Sequence, residues 1–321
     1  MYNIGIDLGG TNIAAAVVDE KGIMISKGSV PTLRERDYKE IVKDMALLAL
    51  KLVDEAGLKK DDIHSVGIGS PGTPDTEKGL VVYANNLRFK NTPIREEFVK
   101  YFDIPVYIEN DANAAAFGEF IAGVGSKYSD FVAVTLGTGV GSGVIVNNKI
   151  ITGAHHGGAE LGHMVIQVGG STCTCGRKGC WEEYSSATAL IREAGKAAMS
   201  HSDSVMYQLI DGDVTKMNAK IPFDAAQQGD KIAQRVIDWY IDYLAVGLVN
   251  LINIFQPQAI ALGGGVSAQK DNLLIPLREK MLLEIYGGAE ALKTELLICE
   301  LGNDAGIIGA AMLYQMYDII K

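Results

Sequence analysis

The sequence predicts an α/β protein of two domains with the same element order, βββαβαβ. Three observations lead to this prediction. The chain has 321 residues, enough for about two domains. A pattern of strand, glycine turn and strand occurs twice, and helix-period segments alternate with strand-like apolar runs. Such alternation favours mixed sheets covered on both faces, with ligands bound in the crevice where the halves meet.

An internal repeat relates the segment that starts at Ile4 to the segment that starts at Val132. In each copy an apolar strand leads into a glycine turn, which is Gly9-Gly10-Thr11 in the first and Gly137-Thr138-Gly139 in the second. A second strand, a polar turn and a third strand follow in both copies. We therefore expect a three-stranded meander at the start of each domain.

The rest of the first copy contains one clear helix pattern and two strand-like runs. Apolar residues at helical spacing predict a helix that ends at Gly57, and they are Ile41, Met45, Leu48 and Leu52. Strands are predicted from Ile63 to Gly69 and from Ile104 to Ile108, with a short helix between them from Ile94 to Tyr101.

The second copy shows the same order after an insertion that covers about 153 to 228. The predicted elements are helix, strand, helix, strand and helix, over Lys231 to Phe255, Gln258 to Leu262, Asn272 to Ile285, Glu295 to Cys299 and Asp304 to Tyr317. We expect a small domain over 1–115, with the final helix 304–321 packing back on it. The larger domain is expected over 116–303, joined to the first by a packed hinge rather than a linker.

Composition and charge exclude several classes of protein. A net charge of −10 without a long Lys/Arg run argues against binding to nucleic acid. No secretory signal is visible at the N-terminus. The longest apolar stretch, Tyr243 to Phe255, is shorter than the roughly 20 residues of a spanning helix. We expect a cytoplasmic protein with no membrane partner.

Both glycine turns have the chemistry of phosphate-binding loops. Glycines let the backbone approach a phosphate closely, and Thr11 or Thr138 adds a hydroxyl donor. The alternative is that each is a tight hairpin turn that needs positive φ. No Walker sequence is present, and a strand rather than a helix follows Gly137-Thr138-Gly139, which excludes a dinucleotide fingerprint. Gly263-Gly264-Gly265 either contacts a nucleoside or is a tight connection.

Three cysteines within eight positions, Cys173, Cys175 and Cys180, indicate a metal site in a reducing compartment. A structural zinc ion needs a fourth ligand, and from residue types His155, His156 and His163 are all available. The alternative is three reduced thiols in a surface loop. Cys299 is most simply a core residue.

Several carboxylates near these motifs have two possible roles. Asp111 suits a helix N-cap or a general base. Glu160 and Glu182 flank the cysteine loop, where ionised carboxylates suit the hydroxyl groups of a polyol, although each alone could be a solvated surface charge.

These motifs resemble the ROK family of bacterial sugar kinases, in the actin, hexokinase and Hsp70 ATPase superfamily with its duplicated ribonuclease H-like fold. Asp7-Leu8-Gly9-Gly10-Thr11 is similar to the first phosphate motif, Gly137-Thr138-Gly139-Val140-Gly141 to the second, and Leu262-Gly263-Gly264-Gly265 to the adenosine motif. The resemblance covers nearly the whole chain, and it selects His163 as the fourth zinc ligand.

The resemblance implies an ATP-dependent hexose kinase that phosphorylates the 6-hydroxyl of glucose, with Asp111 as general base, Mg²⁺ near Asp7 and a structural Zn²⁺. The implied sugar-binding residues are Gly72, Asn86, Asn110, Asp111, Glu160, His163 and Glu182. The implied nucleotide-binding residues are Asp7, Gly9, Gly10, Thr11, Asn12, Gly137, Thr138, Gly139, Gly263, Gly264 and Gly265. Phe89 stands where the family commonly has Trp, which leaves the sugar open.

Other activities within the family stay possible at this stage. The sugar could be N-acetylmannosamine, fructose or allose, and the phosphoryl donor could be ATP, ADP or polyphosphate. Transcriptional repressors of the family carry an N-terminal winged helix, for which we expect no room because the first strand begins by Tyr2. A chaperone ATPase would lack the cysteine loop. We expect a homodimer or homotetramer.

Overall fold

The computed structural model describes residues 1–288, 290 and 293–317. By packing, the described residues divide into two compact units, one within 1–132, 143–159 and 300–317 and the other within 133–142 and 160–299. The first unit therefore extends beyond residue 115, where the sequence predicts the domain boundary.

The strands are short to medium in length. In chain order they are β1 (Tyr2–Leu8), β2 (Asn12–Asp19), β3 (Met24–Pro31), β4 (Ile63–Ser70), β5 (Thr73–Asp75), β6 (Leu80–Ala84), β7 (Phe89–Thr92), β8 (Val106–Asn110), β9 (Phe131–Leu136), β10 (Val140–Val146), β11 (Lys149–Ile150), β12 (Ala259–Gly263) and β13 (Glu295–Ile298).

The α-helices range from single turns to a long core helix. In chain order they are α1 (Tyr38–Glu55), α2 (Ile94–Phe98), α3 (Asp111–Ala122), α4 (Glu182–Ser185), α5 (Ala187–Ser200), α6 (Val205–Leu209), α7 (Ile221–Gln227), α8 (Lys231–Phe255), α9 (Asp271–Glu284) and α10 (Ala305–Tyr317).

Two five-stranded sheets share one topology. Their strand orders are β3-β2-β1-β4-β8 and β11-β10-β9-β12-β13. In the first, β1, β2 and β3 pair antiparallel, whereas β4 pairs parallel with both β1 and β8. The equal orders confirm the duplicated α/β fold with mixed sheets that the sequence predicts.

Local details differ from the expectations. The third strand of the second meander, β11, has only two residues. A third sheet of order β5-β6-β7 was not predicted, because its strands are three to five residues long and show no sustained alternation. The insertion over about 153 to 228 contains α4, α5, α6 and α7.

Helix α10 packs on the first sheet with its backbone close to the strands. A Cβ atom at Gly5 of β1 would overlap the carbonyl oxygen of Ile307, and one at Gly67 of β4 would overlap that of Ala310. On its other side α10 contacts α3, where a Cβ at Gly118 would overlap the Ala305 carbonyl. Glycine is required at these positions because the helix lies too close for any side chain.

Trp181 connects the end of the cysteine loop to the core of the second unit. Its indole is fully buried, and Nε1 donates to the carbonyl of Tyr243 on α8 at 3.0 Å. The ring lies over Gly247, where a Cβ would overlap it. Since Trp181 follows Cys180 directly, burial of the indole holds that end of the loop in place.

Among the described residues, α8 is the one helix with the length and apolarity to cross a membrane. Its most apolar window is 56% buried inside the protein, as for a core helix. The helix is longer than the apolar stretch noted in the sequence because it begins at Lys231, where Asp230 caps it by accepting from the backbone N–H groups of Ile232 and Ala233.

Candidate functional site

The first glycine turn joins β1 to β2 and is held from outside the hairpin. The N–H of Gly9 donates to the Asn12 carbonyl at 2.9 Å. The buried Thr32 donates its hydroxyl to the Gly9 carbonyl at 2.6 Å, and its N–H to the Thr11 carbonyl at 2.8 Å. Thr11 and Asn12 are exposed. Thr32 thus holds the backbone of the turn in place, while the side chains of Thr11 and Asn12 are accessible to a ligand.

Positive φ does not explain the glycines of either turn. Gly9, Gly10, Gly137 and Gly139 are absent from the left-handed residues of the described chain. At Gly9 a Cβ would crowd the Asn12 carbonyl, whereas around Gly137 there is open space. The simple hairpin explanation was therefore wrong in its physical basis. The open space at Gly137 would allow a phosphate to approach the backbone there.

The carboxylates of Asp7 and Asp111 lie near each other in the first unit. Asp7 pairs with Gly69 of β4, and the backbone of Asp111 packs against that same glycine. Burial raises the pKa of Asp7 to about 6, and repulsion from Asp111 adds to the shift. Burial also raises the pKa of Asp111, although the hydrogen bond from the Ala112 N–H lowers it in part. Two such carboxylates suit a divalent cation or a proton acceptor.

The N-cap of α3 is Asn110 rather than Asp111. Asn110 Oδ1 accepts from the N–H groups of Ala112 at 2.9 Å and Asn113 at 3.2 Å. Asp111 is the first helical residue, because Asn110 has the extended backbone of a cap. The predicted capping role of Asp111 is therefore wrong. Its carboxylate accepts from Ala112 at 2.9 Å and is half-buried.

Two of the predicted sugar residues of the first unit, Asn110 and Gly72, are joined by a hydrogen bond, and a third, Asn86, lies beside the first glycine turn. Asn110 Nδ2 donates to the Gly72 carbonyl at 3.0 Å, and Gly72 has φ +87. Asn86 is exposed and neighbours Gly10 of the first turn. Phe89, which replaces the common Trp, is buried in the hydrophobic core and does not present its ring to a ligand.

The second glycine turn lies beside the predicted adenosine motif within the second unit. Gly264 has φ +80, and a Cβ there would overlap Leu136, the residue before Gly137. The hydroxyl of Thr188 donates to the Thr138 carbonyl at 2.8 Å. The N–H of Ala187 donates to the Gly137 carbonyl at 2.9 Å. The two predicted nucleotide motifs are thus adjacent.

Thr32 and Thr188 were missed by sequence reasoning. Each donates its hydroxyl to a carbonyl of a glycine turn that is distant in sequence. Neither belongs to a recognisable motif, so only the packing of the unit identifies them.

The cysteine loop and His163 form a four-ligand cluster. The Nδ1 of His163 is 3.7 Å from Cys173 Sγ, and Cys175 Sγ is 3.7 Å from Cys180 Sγ. One ligand atom of each residue lies within 4.8 Å of all the others. Zn–S bonds of about 2.3 Å in a tetrahedron would separate two sulfurs by about 3.8 Å, so the cluster has the dimensions of a zinc site.

The other candidate histidines lie elsewhere. His155 is exposed, and His156 Nδ1 contacts the hydroxyl of Thr76 at 3.3 Å in the first unit. Of the described residues, His163 is the histidine placed with the three cysteines.

Glu182 links this cluster to the second glycine turn. Its Oε2 accepts from the N–H of Val140 at 3.1 Å, and its Oε1 lies 3.6 Å from Cys173 Sγ. A Cβ at Gly139 would overlap the same carboxylate. Glu160 is exposed and precedes the short helical turn that carries His163.

The repeated mixed sheet with a glycine hairpin in each copy defines a class, the α/β fold of sugar kinases that is consistent with an actin-like ATPase. Residues 3–316 match the ROK family. A glucokinase of Thermotoga maritima is 38% identical over 97% of this chain and 96% of its own. The chain belongs to the ROK family.

Two further relatives bear on its activity. A crystal structure of a ROK glucokinase from Streptomyces griseus, in complex with glucose and AMPPNP, has a TM-score of 0.80 and 36% identity over 98% of this chain and 99% of that one. A xylose repressor of Caldicellulosiruptor bescii is 31% identical over 86% of this chain and 69% of its own length.

The buried charge of Asp7 predicts a gain in stability when it is removed. Since the pKa is raised in the folded state to about 6, ionisation of Asp7 opposes folding above that pH by at most about 3 kcal/mol. We expect Asp7→Asn to raise the free energy of unfolding at pH 7.5 in magnesium-free buffer. The gain should shrink as the pH falls from 6 towards 4, where folded Asp7 is protonated.

Urea denaturation at several pH values measures this effect. Asp203→Asn removes an exposed carboxylate and should give no comparable gain. A destabilised Asp7→Asn variant at pH 7.5 would show that the carboxylate is stabilised by its surroundings.

Proposed function

We propose that this protein is an ATP-dependent glucokinase in which Asp111 accepts the proton of the sugar 6-hydroxyl. Its assignment as a hexose kinase follows from the curated relatives named glucokinase and from the ROK glucokinase structure. The observation that supports the mechanism is the half-buried Asp111 carboxylate at the start of α3, beside Asp7 and the first glycine turn.

Burial of Asp111 makes its carboxylate a better base. A raised pKa favours proton uptake, and the Ala112 N–H holds one oxygen in a fixed direction. In the proposed reaction the sugar oxygen bonds to the γ-phosphorus, the bond from that phosphorus to the leaving oxygen breaks, and the hydroxyl proton passes to Asp111. The products are the sugar 6-phosphate and ADP.

Each of the two glycine turns would bind phosphate. Backbone N–H groups there can donate to phosphate oxygens, with Thr11 and Thr138 adding hydroxyls. Asp7 would hold Mg²⁺, which neutralises phosphate charge when bound. Gly263, Gly264 and Gly265 would contact the nucleoside, since Gly264 lies against Leu136, the residue before the second turn.

Sugar binding would use the free N–H of Asn110. Asn110 Oδ1 accepts from the backbone at the start of α3, and one Nδ2 hydrogen is donated to the Gly72 carbonyl. The second Nδ2 hydrogen can therefore be donated to a sugar hydroxyl group. Gly72, Asn86, Glu160, His163 and Glu182 complete the proposed set. His163 would meet the sugar through the nitrogen that does not face the cysteines.

A structural Zn²⁺ would be held by His163, Cys173, Cys175 and Cys180. Four protein ligands leave no open position, so the ion would order the loop that carries Glu182 rather than take part in chemistry.

The remaining assignments follow from sequence and family. We propose a cytoplasmic homodimer or homotetramer that takes part in glycolysis and binds neither nucleic acid nor membrane. The similarity to a xylose repressor supports one second candidate, a sugar-responsive regulator. N-acetylmannosamine, fructose and allose are the alternative substrates, and ADP or polyphosphate the alternative donors.

A coupled assay over these sugars and donors tests the function. We expect glucose with ATP and Mg²⁺ to give the highest kcat/KM. Sugar binding without turnover for any sugar and donor would favour the regulator.

Asp111→Asn tests the base. Asn keeps an oxygen that accepts from Ala112 and removes a buried charge, so the variant should be at least as stable as the wild type and still bind nucleotide. We expect kcat to fall about 10²-fold or more, because the proton acceptor is lost.

Asp37→Asn is the matched control, since Asp37 caps α1 by accepting from Lys39 and lies at another helix start. Asn ranks with Asp as a cap, so this variant should keep full activity. More than about a tenth of the wild-type rate in Asp111→Asn would remove the catalytic role.

Metal content tests the zinc proposal. We expect about one zinc ion per chain, and removal by a chelator should lower the melting temperature. Cys175→Ser should lose the ion, whereas Cys299→Ser, outside the cluster, should keep it. Metal analysis that finds no zinc in the wild-type protein would contradict the assignment.

A further inference from the structure

We propose that Glu109 and Tyr317 form a positioning pair that fixes the start of α3 and thereby aims the Asp111 carboxylate. The inference rests on the proposed role of Asp111 and extends it to two residues outside the motifs. Glu109 lies on β8 and Tyr317 on the last turn of α10, so the two are 208 residues apart in sequence.

Glu109 is a fully buried carboxylate whose partners lie around Asp111. Its Oε1 accepts from the backbone N–H of Asn110 at 2.9 Å and from Asn113 Nδ2 at 3.0 Å. These residues are the cap of α3 and a member of its first turn, on either side of Asp111. One oxygen atom thus ties together both ends of the short segment that carries the proposed base.

Tyr317 supplies the third hydrogen bond. Its hydroxyl donates to Glu109 Oε2 at 2.9 Å. The ring stacks on Tyr107, also on β8, with centroids 5.5 Å apart and an angle of 5° between the planes. Burial raises the pKa of Tyr317 and keeps the phenol protonated, so it can act as a donor. The stacked ring fixes the position of the Tyr317 hydroxyl, and the hydroxyl in turn holds the Glu109 carboxylate.

A buried carboxylate without donors is costly, so these three bonds control where Glu109 can lie. Burial raises the pKa of Glu109, and the bonds from Asn113, Asn110 and Tyr317 oppose that shift. If the tyrosine hydroxyl is removed, Oε2 loses its donor and the carboxylate must turn or shift. The movement reaches Asn110 and Asn113 through Oε1, and Asp111 lies between them.

Tyr317→Phe is the primary test because it removes one hydroxyl and keeps the stacked ring. A small misplacement of a reacting group can lower a rate strongly, and we expect kcat to fall about tenfold with the nucleotide KM unchanged. Tyr314→Phe is the matched control on the same helix, since its hydroxyl bonds to Gln315 and its ring contacts His64. That variant should keep the wild-type kcat.

Glu109→Gln separates position from charge. The amide oxygen can accept from Asn110 and Asn113, and its N–H₂ group can donate to the Tyr317 oxygen. We expect a kcat within about twofold of wild type, because the geometry is kept. A kcat as low as that of Tyr317→Phe would overturn the positioning role.

The double variant Asp111→Asn/Tyr317→Phe shows whether the pair acts through the base. Its residual rate should equal that of Asp111→Asn alone, since there is no carboxylate left to aim. A further loss equal to that in the wild-type background would overturn the proposal.

The two hypotheses fail in different ways. An active Asp111→Asn variant would overturn the general base and the positioning pair together. An inactive Asp111→Asn variant combined with wild-type kcat in Tyr317→Phe would overturn only the positioning pair.

Discussion

Close packing of the α10 backbone is the constraint on which the first unit depends. Gly5, Gly67 and Gly118 let the helix lie against β1, β4 and α3 without intervening side chains. This approach brings Gly306, at the start of α10, next to the Asp7 carboxylate. It also brings Tyr317, at the other end, to Glu109. One helix therefore contacts both the proposed metal ligand and the group behind the proposed base.

The carboxylates of this unit differ in burial and in hydrogen-bond partners. Asp7 lies near a helix N-terminus, where the dipole favours negative charge, yet burial and Asp111 raise its pKa to about 6. Glu109 and Glu119 are more deeply buried and are satisfied by donors, Glu119 through the backbone N–H groups of Glu300 and Leu301. A cation bound at Asp7 would oppose both causes of its raised pKa.

Much of the fold could be predicted because the repeat is local and regular. The glycine turns, the strands around them and helix α8 follow from short-range periodicity and turn chemistry. The β5-β6-β7 sheet escaped prediction since its strands are too short to show a period. The capping alternative for Asp111 was one residue too late, because Asn and Asp are equally good caps and only backbone geometry separates them.

The sequence by itself determined the duplicated topology, the glycine-turn and cysteine motifs and the family resemblance, since each depends on residue type and spacing within a few positions. The tertiary structure decided that Glu182 contacts the second glycine turn and that Thr32 and Thr188 hydrogen-bond to the turns. It also places His163, the histidine that the resemblance selects, beside the three cysteines. It also decided that Tyr317 meets Glu109 across 208 residues. These contacts join distant segments, and their geometry exists only once the helices pack on the sheets.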